Sequence, residues 1–275
     1  MSEEEQAQAD GFVFCRSRTG VAVITLNRPA AANAIAPEQR DAIIGMLEEA
    51  GAAPDVRAVL IQSTGRHFCA GADVSRIAGA RDTPRAERRA GDVTQTLLQG
   101  AQRLIAAVLD CRKPVVAAVQ GTAAGLGAHL AFAADLVVAA EDAGFVESFV
   151  LRGLVVDAGG AYLLPRRVGL QKAKELAFFG DRLPAAQARD LGLVNQVVPA
   201  AELEEQAFAL AARLAAGPTT AIALTKRMLN RSLDADRATA FLEEAMAQEI
   251  NAATHDGKEG VAAFMARRPA RFQGF

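Results

Sequence analysis

Apolar positions along the chain follow two rhythms. Val21-Ala22-Val23-Ile24-Thr25-Leu26 is rich in β-branched residues and stops at Asn27-Arg28-Pro29, which predicts a strand that runs into a turn. Pro37 then opens a helix, since proline lacks only an N–H that a first turn leaves unpaired; Ile43, Ile44 and Leu47 follow at helical spacing, with an end near Gly51. A second strand is predicted over residues 56–63. After it come a helical stretch over about 84–110, a strand at Val115-Val116-Ala117-Ala118-Val119, a small-residue helix from about Ala124, and a strand over 136–139. Strand, helix, strand in alternation predicts an α/β fold. From Ala158 strand signals nearly vanish, apart from a short one over 193–198, and helical windows run through Arg268. Pro184, Pro199 and Pro218 each head one such window.

This division suggests an acidic, floppy arm over residues 1–10, an α/β core over 11–200 and a helical region over 201–275. The helices expected over about 218–233 and 238–253 have apolar faces. A second subunit would bury them, and so would folding back onto the chain's own core.

Composition narrows the function classes. At 275 residues and 28.8 kDa, one main hydrophobic core is expected. With 51% hydrophobic and 23% charged residues the chain can offset its ordering entropy, which excludes disorder as an overall description. A net charge of -2 supplies no field for nucleic acid or an anionic membrane. The start, Met1-Ser2-Glu3-Glu4-Glu5-Gln6, lacks the basic end and apolar run of a secretory signal, so a cytoplasmic protein is expected. The most apolar stretch, residues 122–140, is broken by Gly125, Gly127, His129 and Asp135 and does not read as a membrane span. Cys15, Cys69 and Cys111 are far apart, and His67, His129 and His255 form no ligand motif, so neither a disulfide framework nor a metal is expected. Arg81, Arg85, Arg88 and Arg89, interleaved with Asp82 and Glu87, read as a solvated helix face.

Two loops depart from ordinary composition. Gly65-Arg66-His67-Phe68-Cys69-Ala70-Gly71-Ala72-Asp73 and Gln120-Gly121-Thr122-Ala123-Ala124-Gly125-Leu126-Gly127-Ala128 each follow a buried strand and precede a helical run. Small residues let a ligand approach the backbone, and N–H groups at a helix start are unpaired, so two such loops could clamp one oxygen. Either loop alone reads better as a tight turn or close helix packing, and only the two together point to a site. The second loop is not a dinucleotide fingerprint, because Gly121, Gly125 and Gly127 have the wrong spacing.

Taken together, the Asn27-Arg28-Pro29 turn, the Phe68-Cys69-Ala70-Gly71-Ala72-Asp73 loop, the Gly121-Thr122-Ala123-Ala124-Gly125-Leu126-Gly127 loop and the tail Glu259-Gly260-Val261-Ala262-Ala263-Phe264-Met265-Ala266-Arg267-Arg268 resemble the crotonase superfamily of enoyl-CoA hydratases and isomerases. The likeness spans nearly the whole chain. It implies a spiral of strand-strand-helix units, a helical C-terminal region used to form trimers or dimers of trimers, an acyl-CoA substrate and no further cofactor. It also implies that the N–H groups of Ala72 and Leu126 form an oxyanion hole for a thioester enolate. The family usually has glycine where Leu126 stands.

Hydratases of this family hold water between two glutamates. The motif match puts His129 and Phe149 at those places, and phenylalanine moves no proton. Glu147 is two residues from Phe149, about 7 Å along a strand, too far to substitute directly. In Gly153-Leu154-Val155-Val156-Asp157-Ala158-Gly159-Gly160 the pattern is similar to ring-epoxyphenylacetyl-CoA isomerases and double-bond isomerases, where this aspartate is the base. Read without the family, Asp157 is an ordinary helix cap. Leu154, Val155, Val156 and Phe149 are expected to surround Asp157 and raise its pKa. His129 either faces the acyl pocket or is a satisfied core histidine, Cys69 packs beside the loop, and His67 and His255 lie at the surface.

For the CoA body, the family points to the turn from Asn27 to Ala34, with Arg28 as a phosphate partner, and to Ala70, Asp73 and Val74; Gly125, Gly127 and Phe149 would line the acyl side. Arg267 and Arg268 either reach the nucleotide or stand exposed. The expected activity is an acyl-CoA isomerase that uses Asp157 as a single proton shuttle. Its rivals are a hydratase that uses His129 or Glu147 and a non-catalytic acyl-CoA-binding protein.

Overall fold

The computed structural model describes residues 6–9, 12–16, 19–73 and 90–275, with the backbone alone described in the first two segments. Strands are β1 Gln6–Ala9, β2 Phe12–Arg16, β3 Val21–Leu26, β4 Ala58–Ser63, β5 Val115–Val119, β6 Thr122–Ala124, β7 Leu136–Ala140, β8 Gly144–Val146, β9 Arg182–Pro184 and β10 Gln196–Val198. Helices are α1 Pro37–Ala52, α2 Asp92–Gln99, α3 Ala101–Leu109, α4 Leu126–Ala133, α5 Gly160–Val168, α6 Leu170–Phe179, α7 Ala185–Asp190, α8 Leu203–Ala215, α9 Thr219–Arg231, α10 Arg237–Ala253 and α11 His255–Met265.

A seven-stranded sheet runs in the order β1-β2-β3-β4-β5-β7-β10, parallel from β3 onward, and a three-stranded sheet β6-β8-β9 stands beside it. Because β3, β4 and β5 are parallel, the segments that follow them emerge at one edge of the sheet, where ligands of such folds bind. Strand β5 is buried along its whole length, as its all-apolar sequence requires. The core collects Ile24, Leu26, Ile61, Phe68, Leu104, Leu130 and Phe132, all with 2% exposure or less.

Several elements differ from the sequence reading. Gln6–Ala9 pairs antiparallel with β2 where a floppy arm was expected. The helical stretch expected over 84–110 is, within the described residues, two helices broken at Gly100, whose φ of -107° and ψ of -108° leave the helical range. Thr122–Ala124, expected as a loop running into a helix from about Ala124, is a strand paired with β8, and α4 begins two residues later. The short strand β9 was not anticipated, because three residues carry too little pattern to read. The basic cluster at Arg81, Arg85, Arg88 and Arg89 lies outside the described residues.

The helical region is joined to the core by a buried ion pair. Lys226 on α9 reaches Asp135 at 2.8 Å and donates to the carbonyls of Val108 and Lys113, while Asp135 accepts the N–H of Val115.

Candidate active site

The turn after β3 is knotted to the loop after β4 by Asn33. Its Oδ1 accepts the N–H of Arg28 at 2.8 Å, and its Nδ2 donates to the carbonyls of Thr64 and His67 at 2.9 and 2.8 Å. Arg28 donates to Ala34 O and Gln39 Oε1 and pairs with Asp73 at 3.3 Å. Arg28, Ala34 and Asp73 are thus brought together, but the guanidinium is spent largely on holding the turn. Ala70 is exposed beside them, with its N–H bonded to Ala32 O. Val74 lies outside the described residues.

The loops after β4 and β5 are bonded to each other. Cys69 donates to Thr122 O at 3.2 Å and accepts from Ala124 N–H at 2.9 Å, forming one rung of parallel bridge. Gly127 sits so close to this rung that a Cβ there would collide with the Cys69 carbonyl, so the glycine is required for the approach. Burial pushes the Cys69 thiol up to about 12, the N–H of Gly71 offsetting only part of it, which leaves an inert packing group.

The same geometry frees two amides. In the bridge between Ile35 and Ala72, Ile35 donates to Gly71 O and accepts from Asp73 N–H, so the N–H of Ala72 points away from its neighbour and makes no hydrogen bond among the described residues. Leu126 is the first residue of α4, where no intrahelical acceptor exists, and its N–H is likewise unpaired. A Cβ at Gly71, next to Ala72, would stand 3.6 Å from Leu126 N, so the two free donors belong to adjoining backbone.

Asp157 sits in the turn that precedes α5. Its side chain makes no hydrogen bond among the described residues. Burial raises the carboxyl above its ordinary 3.8, and the nearby His129 charge draws it partly back. The cap of α5 is Gly159, not Asp157, which contributes only its carbonyl to Gly160 N–H at 2.9 Å. The apolar surround is not the one expected: Leu154 is 55% and Val155 86% exposed, because the turn at Gly153 carries them outward. Phe149 is buried, its ring against Gly125 and stacked on His129 with centroids 5.5 Å apart.

His129 is fully buried, and its Nε2 lies 3.1 and 3.0 Å from the two carboxylate oxygens of Glu147, itself 4% exposed. Sequence spacing missed this pair, because it compared Glu147 with position 149 along one strand and not with α4 across the site. His67 is half-buried, its Nδ1 without a partner among the described residues, whereas a surface position was expected. His255 is exposed, as expected, and pairs with Asp256; Arg268 is exposed as well and is held by both oxygens of Glu259 at 2.7 and 2.8 Å.

Among the described residues no three His, Cys, Asp or Glu side chains converge as a metal site. A cavity of about 870 Å³ lined by Arg112, Lys113, Lys226 and Arg227 lies at the opposite end of β5, away from the free amides and Asp157.

Residues 16–274 match the enoyl-CoA hydratase/isomerase family. A Rhodobacter capsulatus protein named "Probable enoyl-CoA hydratase" is 38% identical over 93% of this chain and 95% of its own length. The 1,2-epoxyphenylacetyl-CoA isomerase of Escherichia coli is 35% identical over 96% of this chain and 98% of its own. The crystal structure of an enoyl-CoA hydratase/isomerase from Cupriavidus metallidurans superposes with a TM-score of 0.88 at 35% identity, covering 98% of each chain. Free amides at the joined loops and a match along almost the whole chain agree: the protein belongs to the enoyl-CoA hydratase/isomerase family of the crotonase superfamily.

Proposed function

We propose that the protein is an acyl-CoA isomerase that shifts a double bond, or rearranges a ring-derived acyl-CoA, through a thioester enolate. The observation that carries this reading is the inventory of proton-moving groups: Asp157 is a half-buried carboxyl with no hydrogen bond among the described residues, whereas position 149 is phenylalanine and Glu147 is engaged by His129.

Isomerisation needs one base. Asp157 takes a proton from Cα of a β,γ-unsaturated thioester, and the electron pair moves through the carbonyl to the thioester oxygen. The N–H groups of Ala72 and Leu126 stabilise that oxygen as charge develops. Asp157 then returns the proton to Cγ, the carbonyl reforms, and the double bond lies between Cα and Cβ. A carboxyl raised by burial is the stronger base for the first step. Coenzyme A enters as part of the substrate, and no separate cofactor takes part.

A homotrimer or dimer of trimers in the cytoplasm completes the reading. Its support is the row of exposed Phe241, Leu242, Met246 and Ile250 on α10, with Phe264 and Met265 on α11, which a monomer leaves in water.

The test is to offer purified protein a 3-enoyl-CoA and crotonyl-CoA side by side. Isomerisation at least about tenfold faster than hydration is expected, one acid–base group being typically worth at least a hundredfold. Dominant hydration would replace this reading with a hydratase using His129 or Glu147. Tight binding without turnover of either would indicate a non-catalytic acyl-CoA-binding protein.

A further inference from the structure

We propose that the buried His129–Glu147 pair is a positioning element for Asp157: it seats the turn that carries the carboxylate and sets the charge that faces it. The proposal rests on Asp157 being the base.

Neither nitrogen of His129 is open to a substrate. Nε2 is taken by both oxygens of Glu147, and Nδ1 is buried without a partner among the described residues. The ring therefore acts through a neighbour and not on the reacting atoms.

That neighbour is the Asp157 turn. A Cβ at Gly160 would run into Cε1 and Nε2 of the His129 ring, so the backbone at the start of α5 rests directly on the imidazole. Gly160 N–H closes the turn on Asp157 O, across Ala158 at φ 46° and Gly159 at φ 77°. Ala158 holds a left-handed conformation that a side chain disfavours, so the turn keeps its shape only because its surroundings fix it. Phe149, stacked on the other part of the ring, confines the imidazole.

Charge gives the pair its second role. Taking an imidazole and a carboxylate out of water is costly, and an apolar pair of the same shape would pack as well. Glu147 lies 3.0 Å from Nε2, a contact that becomes an ion pair when the ring carries its second proton, and a positive charge on His129 opposes the effect of burial on Asp157. Other groups on the packed elements are turned elsewhere. On α3, Arg103 pairs with Glu48. On α5, Tyr162 and Arg166 both bind Asp234, and Arg167 donates to Ala134 O.

The experiment is the pH dependence of kcat/KM for isomerisation in wild type, Glu147→Gln, His129→Gln and Asp157→Asn. Glutamine at 147 keeps an acceptor for Nε2–H and removes the charge. The expected result is an acid limb moved upward by about half a unit to one unit in both pair variants, with kcat lowered and KM little changed. A fall in activity with the acid limb unmoved would reduce the pair to packing and overturn the proposal. If Asp157→Asn keeps wild-type activity, the base assignment itself fails, which is a separate result. Should the pair variants not fold, ¹⁵N NMR of the histidine rings in wild type and Asp157→Asn reads the same coupling from the other side, since interacting sites shift each other reciprocally. His129 ring signals that titrate identically in the two proteins would overturn the proposal.

Discussion

Gly71 stands against the start of α4: a Cβ on it would lie 2.7 Å from Ala124 O and 3.6 Å from Leu126 N. At φ 100° the residue also adopts a conformation that side chains disfavour. The loop after β4 can therefore approach the start of α4 closely enough to set the backbone next to Ala72 beside Leu126 N only with glycine here. Gly71→Ala is expected to spread the loops and lower kcat by about a hundredfold, the typical cost of one oxyanion donor, with the melting transition still cooperative. Steady-state kinetics beside a thermal melt checks this; unchanged kcat would mean that the two amides do not act together.

Lys226 and Asp135 tie the helical region to the sheet, with the lysine side chain only 6% exposed. Removing one partner strands a buried charge, so Lys226→Met is expected to cost about 3 kcal/mol or more in a urea titration. Adding Asp135→Asn to it should recover part of that loss. A double variant as unstable as the sum of the single ones would show that the two residues are not coupled.

The C-terminal tail is held by Asp256, whose carboxylate accepts the N–H groups of Gln273 and Gly274, both at 2.7 Å. Burial pushes this carboxyl up, but those N–H groups, the His255 ring and the Arg57 charge together hold it below its ordinary 3.8. A carboxyl lowered by folding stabilises the protein above its unfolded value, and the contribution is lost as pH falls through the folded one. Hydrogen exchange at Gln273 and Gly274 should therefore accelerate under strongly acidic conditions. Asp256→Asn should accelerate it already at pH 7, at a cost of about 1–3 kcal/mol. Exchange indifferent to both would place the tail's anchor elsewhere.

The sequence disclosed what depends on local pattern. β3 and β5 were legible because β-branched runs meet turn residues at Asn27 and Gln120, α9 because proline marks its head, and α10 from its apolar face. Thr122–Ala124 and Arg182–Pro184 were not, since a three-residue strand is defined by its partner and not by its own periodicity. In the site, the free amides followed from motif position. Asn33, which joins two loops through three hydrogen bonds, gave no signal beyond a polar residue in a turn. His129 and Glu147 are 18 residues apart on different elements, and no spacing rule connects them. Leu154 and Val155 show the converse error: apolar neighbours in sequence are carried outward by the turn at Gly153.

The proposed role of Asp157 carries a pH dependence. As the proposed base Asp157 acts ionised, and its carboxyl lies above the ordinary 3.8, so kcat/KM should rise with pH along a limb whose midpoint also lies above 3.8. A carboxyl raised by folding favours the native state while protonated, and that contribution disappears as pH rises through the folded value. Asp157→Asn, permanently neutral, should accordingly melt at or above wild type at pH 7.

That stability makes one measurement decisive: isomerisation of a 3-enoyl-CoA by Asp157→Asn and by wild type at equal folded concentration, followed as the rise of conjugated enoyl-thioester absorbance. Loss of about a thousandfold in kcat with substrate binding retained is the outcome that a single proton shuttle requires. Full activity in Asp157→Asn would contradict it and place the proton transfer on another group.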